Sequence, residues 1–246
     1  MKNYSIFKTI DSEISAYLYG FILGDGCITI REKRNEYCLS IRQTIEDRYI
    51  IDLFKEKMNN ELNIKEETNK IYTCEKTGKI YKCQNQLSIN FYSKELINDL
   101  IKHGLCQNKT SQELRIPEID NSLFKHFLRG YFDADGTCDT YLTVGHTKGL
   151  RDRAKPTFHI SSHKQNILKE ISSKLEELYD IKIPVYKTKD RDNVLKSGSY
   201  SEIRKLFNFL YTDSNFYIPR KYKKFKNVML TSSEFKKLKD LEPCNA

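Results

Sequence analysis

Two aspartates set the chemical question. Asp25 and Asp135 each stand directly before a glycine, at the end of a largely apolar run, 110 residues apart. The first run reads Ala16-Tyr17-Leu18-Tyr19-Gly20-Phe21-Ile22-Leu23-Gly24-Asp25-Gly26. The second reads His126-Phe127-Leu128-Arg129-Gly130-Tyr131-Phe132-Asp133-Ala134-Asp135-Gly136. Both have the form Leu-x-Gly-aromatic-x-x-small-Asp-Gly. One Gly-Asp-Gly is an ordinary helix-ending turn; two copies in register point to a pair of carboxylates delivered to one place. Carboxylates held close repel unless they ionise separately or share cations. Oxygen-only ligands with open water positions suit Mg²⁺ or Mn²⁺. Joined by phosphate oxygens, such a pair can stabilise both the attacking and the leaving oxygen of phosphodiester cleavage. A calcium loop at Asp133-x-Asp135-Gly136-x-x-Asp139 is excluded, because its glycine comes fourth instead of sixth.

The elements that must carry these acids follow from periodicity. Each apolar run is a buried helix. Gly20 and Gly24 lie on one face, and Gly130 and Ala134 repeat that spacing. Small residues four apart let two helix backbones approach closely. Ser12 or Ser15 caps the first helix, and Asn121 or Ser122 the second. Gly26 and Gly136 are expected to end them in the left-handed conformation. Beyond each motif the pattern reads strand, strand, helix, strand, strand, helix, giving α-β-β-α-β-β-α twice. The halves are expected at 1–105 and 122–246, joined by 106–121. Aligning the second helices places Ile41 on His159, an offset of 118, so the second copy gains eight residues within Gly145–Lys155.

Composition narrows the class. Lys and Arg number 42 against 33 Asp and Glu, a net charge of +9, which favours a polyanionic partner. No apolar run approaches the ~20 residues of a membrane span, so no membrane partner is expected. The start lacks the apolar core of a secretory signal. The seven cysteines include no Cys-x-x-Cys pair, as expected of reduced thiols in a reducing compartment. His159-x-x-x-His163 lacks the further ligands of a zinc site. The expected location is intracellular, in a bacterial or phage-host cytoplasm or in an organelle, and not secreted.

The double motif resembles the paired motif of the LAGLIDADG homing endonucleases, over about Ser12 to Met229. Gly104-Leu105-x-x-Asn108-Lys109-Thr110 and Phe216-Tyr217-Ile218-Pro219-Arg220-Lys221 are also similar to segments following the last helix in that family. The resemblance implies an α+β fold of two pseudo-twofold related αββαββα units, whose antiparallel sheets form a saddle on duplex DNA. It implies a monomer that hydrolyses both strands of a long, roughly palindromic site across the minor groove, with Mg²⁺ or Mn²⁺. Asp25 and Asp135 would be metal ligands, with the carbonyls of Gly24 and Ala134 as auxiliaries. Leu23 departs from the acid at Asp133, a position the family does not require. Gln43 matches a position that organises active-site water; its partner by the offset is Ser161. Lys94, Lys187 and Lys189 are candidates for a basic residue near the metals.

DNA readout is expected from strand residues alternating onto one sheet face. In the first half these are Thr29, Arg31, Lys33, Arg34 and Arg42, with Lys82, Gln84 and Gln86 two apart on one strand. In the second they are Thr140, Lys187, Lys189 and Arg191, with Lys148, Arg151 and Arg153 in the inserted loop. Arg would pair with guanine and Gln with adenine; the remaining lysines, Lys221 among them, would meet phosphates or water. An intron RNA maturase and a non-cleaving DNA-binding protein are the alternatives on this scaffold. Two buried acids serve no need of a pure binder.

Overall fold

The apolar run ending in Asp25 folds as helix α1, Glu13–Asp25. Ser12 caps it reciprocally: its hydroxyl accepts from the Ser15 N–H while the Ser15 hydroxyl accepts from the Ser12 N–H. Two donors that a helix start would leave open are thereby satisfied. Every residue from Ser15 to Leu23 is buried, as an all-round apolar helix requires. The computed structural model describes residues 2–68, 71–75, 77–108, 113–143, 153–188 and 193–230.

After α1 come β1 (Cys27–Arg31), β2 (Glu36–Thr44), α2 (Arg48–Met58), β3 (Lys65–Glu67), β4 (Ile71–Thr73), β5 (Ile80–Lys82), β6 (Gln86–Tyr92) and α3 (Lys94–Lys102). The second half runs α4 (Phe124–Asp135), β7 (Gly136–Thr143), β8 (Arg153–Ser162), α5 (Gln165–Tyr179), β9 (Val185–Lys187), β10 (Asn193–Ser197) and α6 (Tyr200–Tyr211), and α7 (Pro219–Val228) follows. The repeated order is the expected one, with a β4–β5 hairpin inserted in the first half and α7 added to the second. Each half has one four-stranded antiparallel sheet, ordered β1-β2-β6-β3 and β7-β8-β10-β9. Thus the α+β class and the duplicated antiparallel sheets stand as read from the sequence.

One face of each sheet is apolar. Leu39, Ile41, Leu87, Ile89 and Phe91 are buried in the first, with Ile50, Phe54, Leu96 and Leu100 from α2 and α3. Phe158, Ile160 and Leu195 do the same in the second, with Ile167, Leu175 and Leu206. Each such side chain contributes roughly 1.5–3 kcal/mol by leaving water.

Packing divides the chain into two compact units, 1–134 and 135–246. The boundary cuts α4 away from its own repeat, because α4 lies against α1. A Cβ on Gly20 would collide with the Phe127 carbonyl, and one on Gly130 with the Tyr17 carbonyl. Tyr131 N and Phe21 N are the matching second neighbours, 3.0 and 2.9 Å away. Shifting each partner by 110 converts one set of contacts into the other, the reciprocity of a twofold interface.

Three local readings change. Gly26 is extended, with φ −71° and ψ 146°, and Gly136 begins β7, so neither adopts the left-handed cap. A Cβ at Gly26 would lie 2.7 Å from the Ile22 side chain, which is reason enough for glycine. The turn before α4 is capped by Asp120, whose carboxylate accepts from Ser122 N, and not by Asn121 or Ser122.

The third change is one of register. Cys27 pairs with Ser40, and its repeat equivalent Thr137 pairs with His159, so the true offset is 119. Ile41 corresponds to Ile160, both fully buried, and not to His159. A slip of one residue turns a strand over, and the counterpart assigned to Gln43 turns with it.

Candidate active site and nucleic-acid face

Asp25 ends α1 half-buried, with Gly24 likewise half-buried before it. Gln43 comes to it from the end of β2, on the same sheet face as Leu39 and Ile41. Its Nε2 donates to Asp25 Oδ2 at 2.5 Å. The structure thus joins two residues singled out separately in the sequence. The amide leaves the carboxylate its acceptor character and fixes its rotation.

Asp135 ends α4 exposed, preceded by half-buried Ala134. With the register corrected, the counterpart of Gln43 is Ser162 and not Ser161. Its side chain is two bonds shorter than a glutamine, and its hydroxyl accepts from Lys164 N. A different residue reaches the end of this helix. Lys221, on the first turn of α7, donates from Nζ to the Gly136 carbonyl at 2.9 Å. One turn later Lys224 meets the Asp139 carboxylate at 2.6 Å, so α7 grips β7 at two points. Pro219 sets the start of α7. The sequence grouped Lys221 with the surface lysines; the signal was present in Ile218-Pro219-Arg220-Lys221, which fixes a helix start two residues before it.

The other basic candidates fall elsewhere. Lys94 opens α3 with its Nζ over the Tyr37 ring, 5.2 Å from the centroid. Gln43 pairs with Leu87 whereas Cys38 pairs with Tyr92, so Lys94 lies beyond the far end of β6, roughly 17 Å of strand from Gln43. Lys187 shares a ladder row with Asn193 and Ser162, two strands from Ser162. Lys189 lies outside the described residues.

Hard oxygen donors define what these positions can hold. Among the described residues no group of three or more His, Cys, Asp or Glu could enclose a metal ion. A single carboxylate with a neighbouring carbonyl at each helix end fits Mg²⁺ or Mn²⁺ only where phosphate and water complete the shell. That is how Mg²⁺ is ordinarily bound. The donor chemistry therefore fits the expected ion when a phosphodiester is present.

Opposite the apolar face, each sheet carries polar side chains. On the first these include Thr29 and Arg31, Ser40 and Arg42, and Gln86 and Asn90, aligned by register. Thr29, Arg31, Arg42 and Gln86 thus share the expected face. Arg31 is paired with Glu36 at 3.0 Å and Arg42 with Glu67 at 3.8 Å, both exposed. Lys33 and Arg34 sit exposed in the turn after β1, not on a strand. Lys82, Gln84 and Gln86 do not share a strand: Lys82 ends β5 in the separate hairpin, Gln84 lies between strands and Gln86 begins β6.

In the second sheet the polar face carries Thr137, Asp139, Thr157, His159, Ser161, Lys196 and Tyr186. Thr140 lies on the opposite face, with buried Cys138 and opposite buried Pro156. Lys187 shares the face of Val185 and Leu195, although it is exposed. Neither residue lies on the polar face; it carries Thr157, His159 and Lys196 instead. Burial and the nearby Lys196 push the His159 imidazole below its ordinary value. Arg153 begins β8; Lys148, Arg151 and Arg191 lie outside the described residues.

No protein-family model matches the sequence, and no curated protein is similar to it. Solved structures supply the comparison. The chain has the fold of the single-chain LAGLIDADG homing endonucleases. A double mutant of I-SmaMI is similar with a TM-score of 0.64 at 13% identity, over 96% of this chain and 100% of that one. The LAGLIDADG meganuclease I-AabMI, bound to uncleaved DNA, gives 0.59 at 15% identity over 91% of each chain. I-LtrWI, bound to its target DNA, gives 0.59 at 15% identity over 93% of this chain and 91% of that one.

Proposed function

We propose that this chain is an intracellular, site-specific DNA endonuclease that cuts both strands of a long, roughly palindromic duplex as a monomer. The observation that carries the reading is the reciprocal packing of α1 and α4. Each helix runs five residues past its crossing glycine, Gly20 or Gly130, and ends in an aspartate. In this reading each half supplies one acid, Asp25 or Asp135, and one sheet.

Asp25 and Asp135, with the carbonyls of Gly24 and Ala134, would hold Mg²⁺ or Mn²⁺ beside the bound phosphodiester. Such an ion supplies charge stabilisation to the phosphate oxygens and acidifies a bound water. Gln43 keeps the Asp25 carboxylate in one rotamer, so little reorganisation accompanies reaction. Lys221 places a positive charge one residue beyond Asp135, suited to negative charge growing on a phosphate oxygen. The polar faces of the two sheets read base edges in the major groove. Exposed lysines on the flanks contact phosphates, making affinity fall with salt by about 0.9 log unit per contact on B-DNA.

The test is cleavage of a supercoiled plasmid library carrying a randomised insert, with Mg²⁺. Linear product from a defined subset of inserts, lost in Asp25→Asn, supports the reading. Binding to a defined insert with neither strand cut would leave a DNA-binding protein instead.

A further inference from the structure

The α1–α4 contact is symmetric in backbone but not in side chains. Shifted by 110, Tyr17 corresponds to Phe127 and Asp133 to Leu23. On one side of the contact the aromatic and its neighbour are thus Phe127 and Leu23, both buried and apolar. On the other, the Tyr17 hydroxyl donates to Asp133 Oδ2 at 2.7 Å, with both residues at most 1% exposed. The polar side continues. Arg129, fully buried, lies over the Tyr17 ring at 5.5 Å and bonds the His126 imidazole at 2.8 Å. His126 Nε2 stands 3.5 Å from a Glu13 carboxylate oxygen. A chain of polar groups therefore runs through a helix contact whose pseudo-symmetric mate contains none at the Tyr17 and Asp133 positions.

Burying these groups is costly unless each is satisfied, and an apolar solution exists in the same molecule. Their location matters more than their stability. Asp133 is in the last turn of α4, where carbonyls lack helical partners and the chain frays most readily. Two residues later comes Asp135. At the other helix end Asp25 accepts from Gln43, whose register counterpart in the second half is Ser162. We infer that Tyr17 is a positioning residue for the second half-site: through its bond to Asp133 it clamps the last turn of α4 and fixes Asp135, a task Gln43 performs by direct contact at Asp25. The first half thereby contributes to the accuracy of the second. The inference rests on the endonuclease reading for its catalytic consequence, but its structural part can be tested without it.

Two measurements on the full chain decide. The first is amide hydrogen exchange of Tyr17→Phe without DNA. Exchange at 133–136 should accelerate at least about tenfold while 23–26 stays at the wild-type rate; equal protection at 133–136, or equal loss at both helix ends, overturns the clamp. Tyr19→Phe is the control, since it loses a similar bond, to the His103 carbonyl at 2.7 Å, from the same helix. It should leave 133–136 unchanged. The second is single-turnover cleavage, strand by strand, of a plasmid insert that the wild type cuts. Tyr17→Phe should change the ratio of the two strand rates at least about tenfold, so that nicked circles accumulate, with binding within about twofold. Equal slowing of both strands overturns the positioning role. Absence of cutting by the wild type would count against the endonuclease reading, and the exchange result would still decide the clamp. Should Tyr17→Phe fold poorly, Tyr17→Phe/Asp133→Leu copies the apolar arrangement of Phe127 and Leu23 and is held to the same two outcomes.

Discussion

The two helix ends solve one problem by different means. At Asp25 a side chain from the adjoining sheet grips the carboxylate itself. Beside Asp135 the neighbouring residues are gripped, Asp133 by Tyr17 and the Gly136 carbonyl by Lys221. Duplication supplied the same backbone twice; the side chains that stiffen it have diverged. Symmetry in a duplicated fold therefore extends to what the backbone must do and stops where several side chains could serve.

Removing either acid should have the largest effect. Asp25→Asn and Asp135→Asn are each expected to abolish double-strand cleavage, a loss of several kcal/mol in the transition state, with binding kept within about tenfold. Full double-strand cutting by either variant would break the claim that the two ends contribute equally. Next comes the shared backbone contact. Gly20→Leu and Gly130→Leu each force a side chain into a main-chain carbonyl, at a cost of about 3 kcal/mol or more. Their melting temperatures should fall by similar amounts, roughly 6–12 °C for a chain of this size. A fall in only one would show the packing to be less symmetric than the glycines indicate.

Smaller effects sharpen the contrast. Gln43→Leu should slow cleavage about 10–100-fold, the usual consequence of losing a group that orients a metal ligand. Ser162→Ala should stay within about twofold. Equal effects would mean that Ser162 does for Asp135 what Gln43 does for Asp25. The polar side of the helix contact also carries a pH signature. Burial, then the Arg129 and Lys125 charges, lower the His126 pKa to about 4 from an ordinary 6.5. The unfolded chain therefore binds the proton first as pH falls, and stability should drop between about pH 6.5 and 4, by on the order of 3 kcal/mol. His126→Leu should flatten that slope in a urea titration across the window.

How far the sequence could be read depended on local signals. The repeated order of helices and strands followed from apolar spacing. Asp25 and Asp135 were legible because the repeat aligned them, and Gln43 through the family resemblance. Strand facing was not. Leu39 and Ile41 in the first half match Phe158 and Ile160 in the second, but the intervening insertion hides one residue of the offset. That single residue put Ser161 where Ser162 belongs, while Thr140 and Lys187 miss the polar face by the alternation of their own strands. Lys221 was missed for another reason: it reaches Gly136 from 85 positions away, and no periodicity reports a contact of that range. The Tyr17–Asp133 bond is equally remote, though the departure of Leu23 from Asp133 marked where to look.

The placement of α4 bears on recombination between relatives. A chimaera joined within the linker at 106–121 would set a foreign partner helix against α1. Any donor lacking a carboxylate at position 133 would take from the buried Tyr17 hydroxyl the acceptor it now has there. Any recipient with phenylalanine at position 17 would take a donor from a buried carboxylate, the costlier error. A crossover placed after Ala134 inherits α1 and α4 as a matched set and exchanges only what lies beyond the second aspartate's helix. The practical seam for building new specificities thus lies about a dozen residues downstream of the point where the sequence repeat divides.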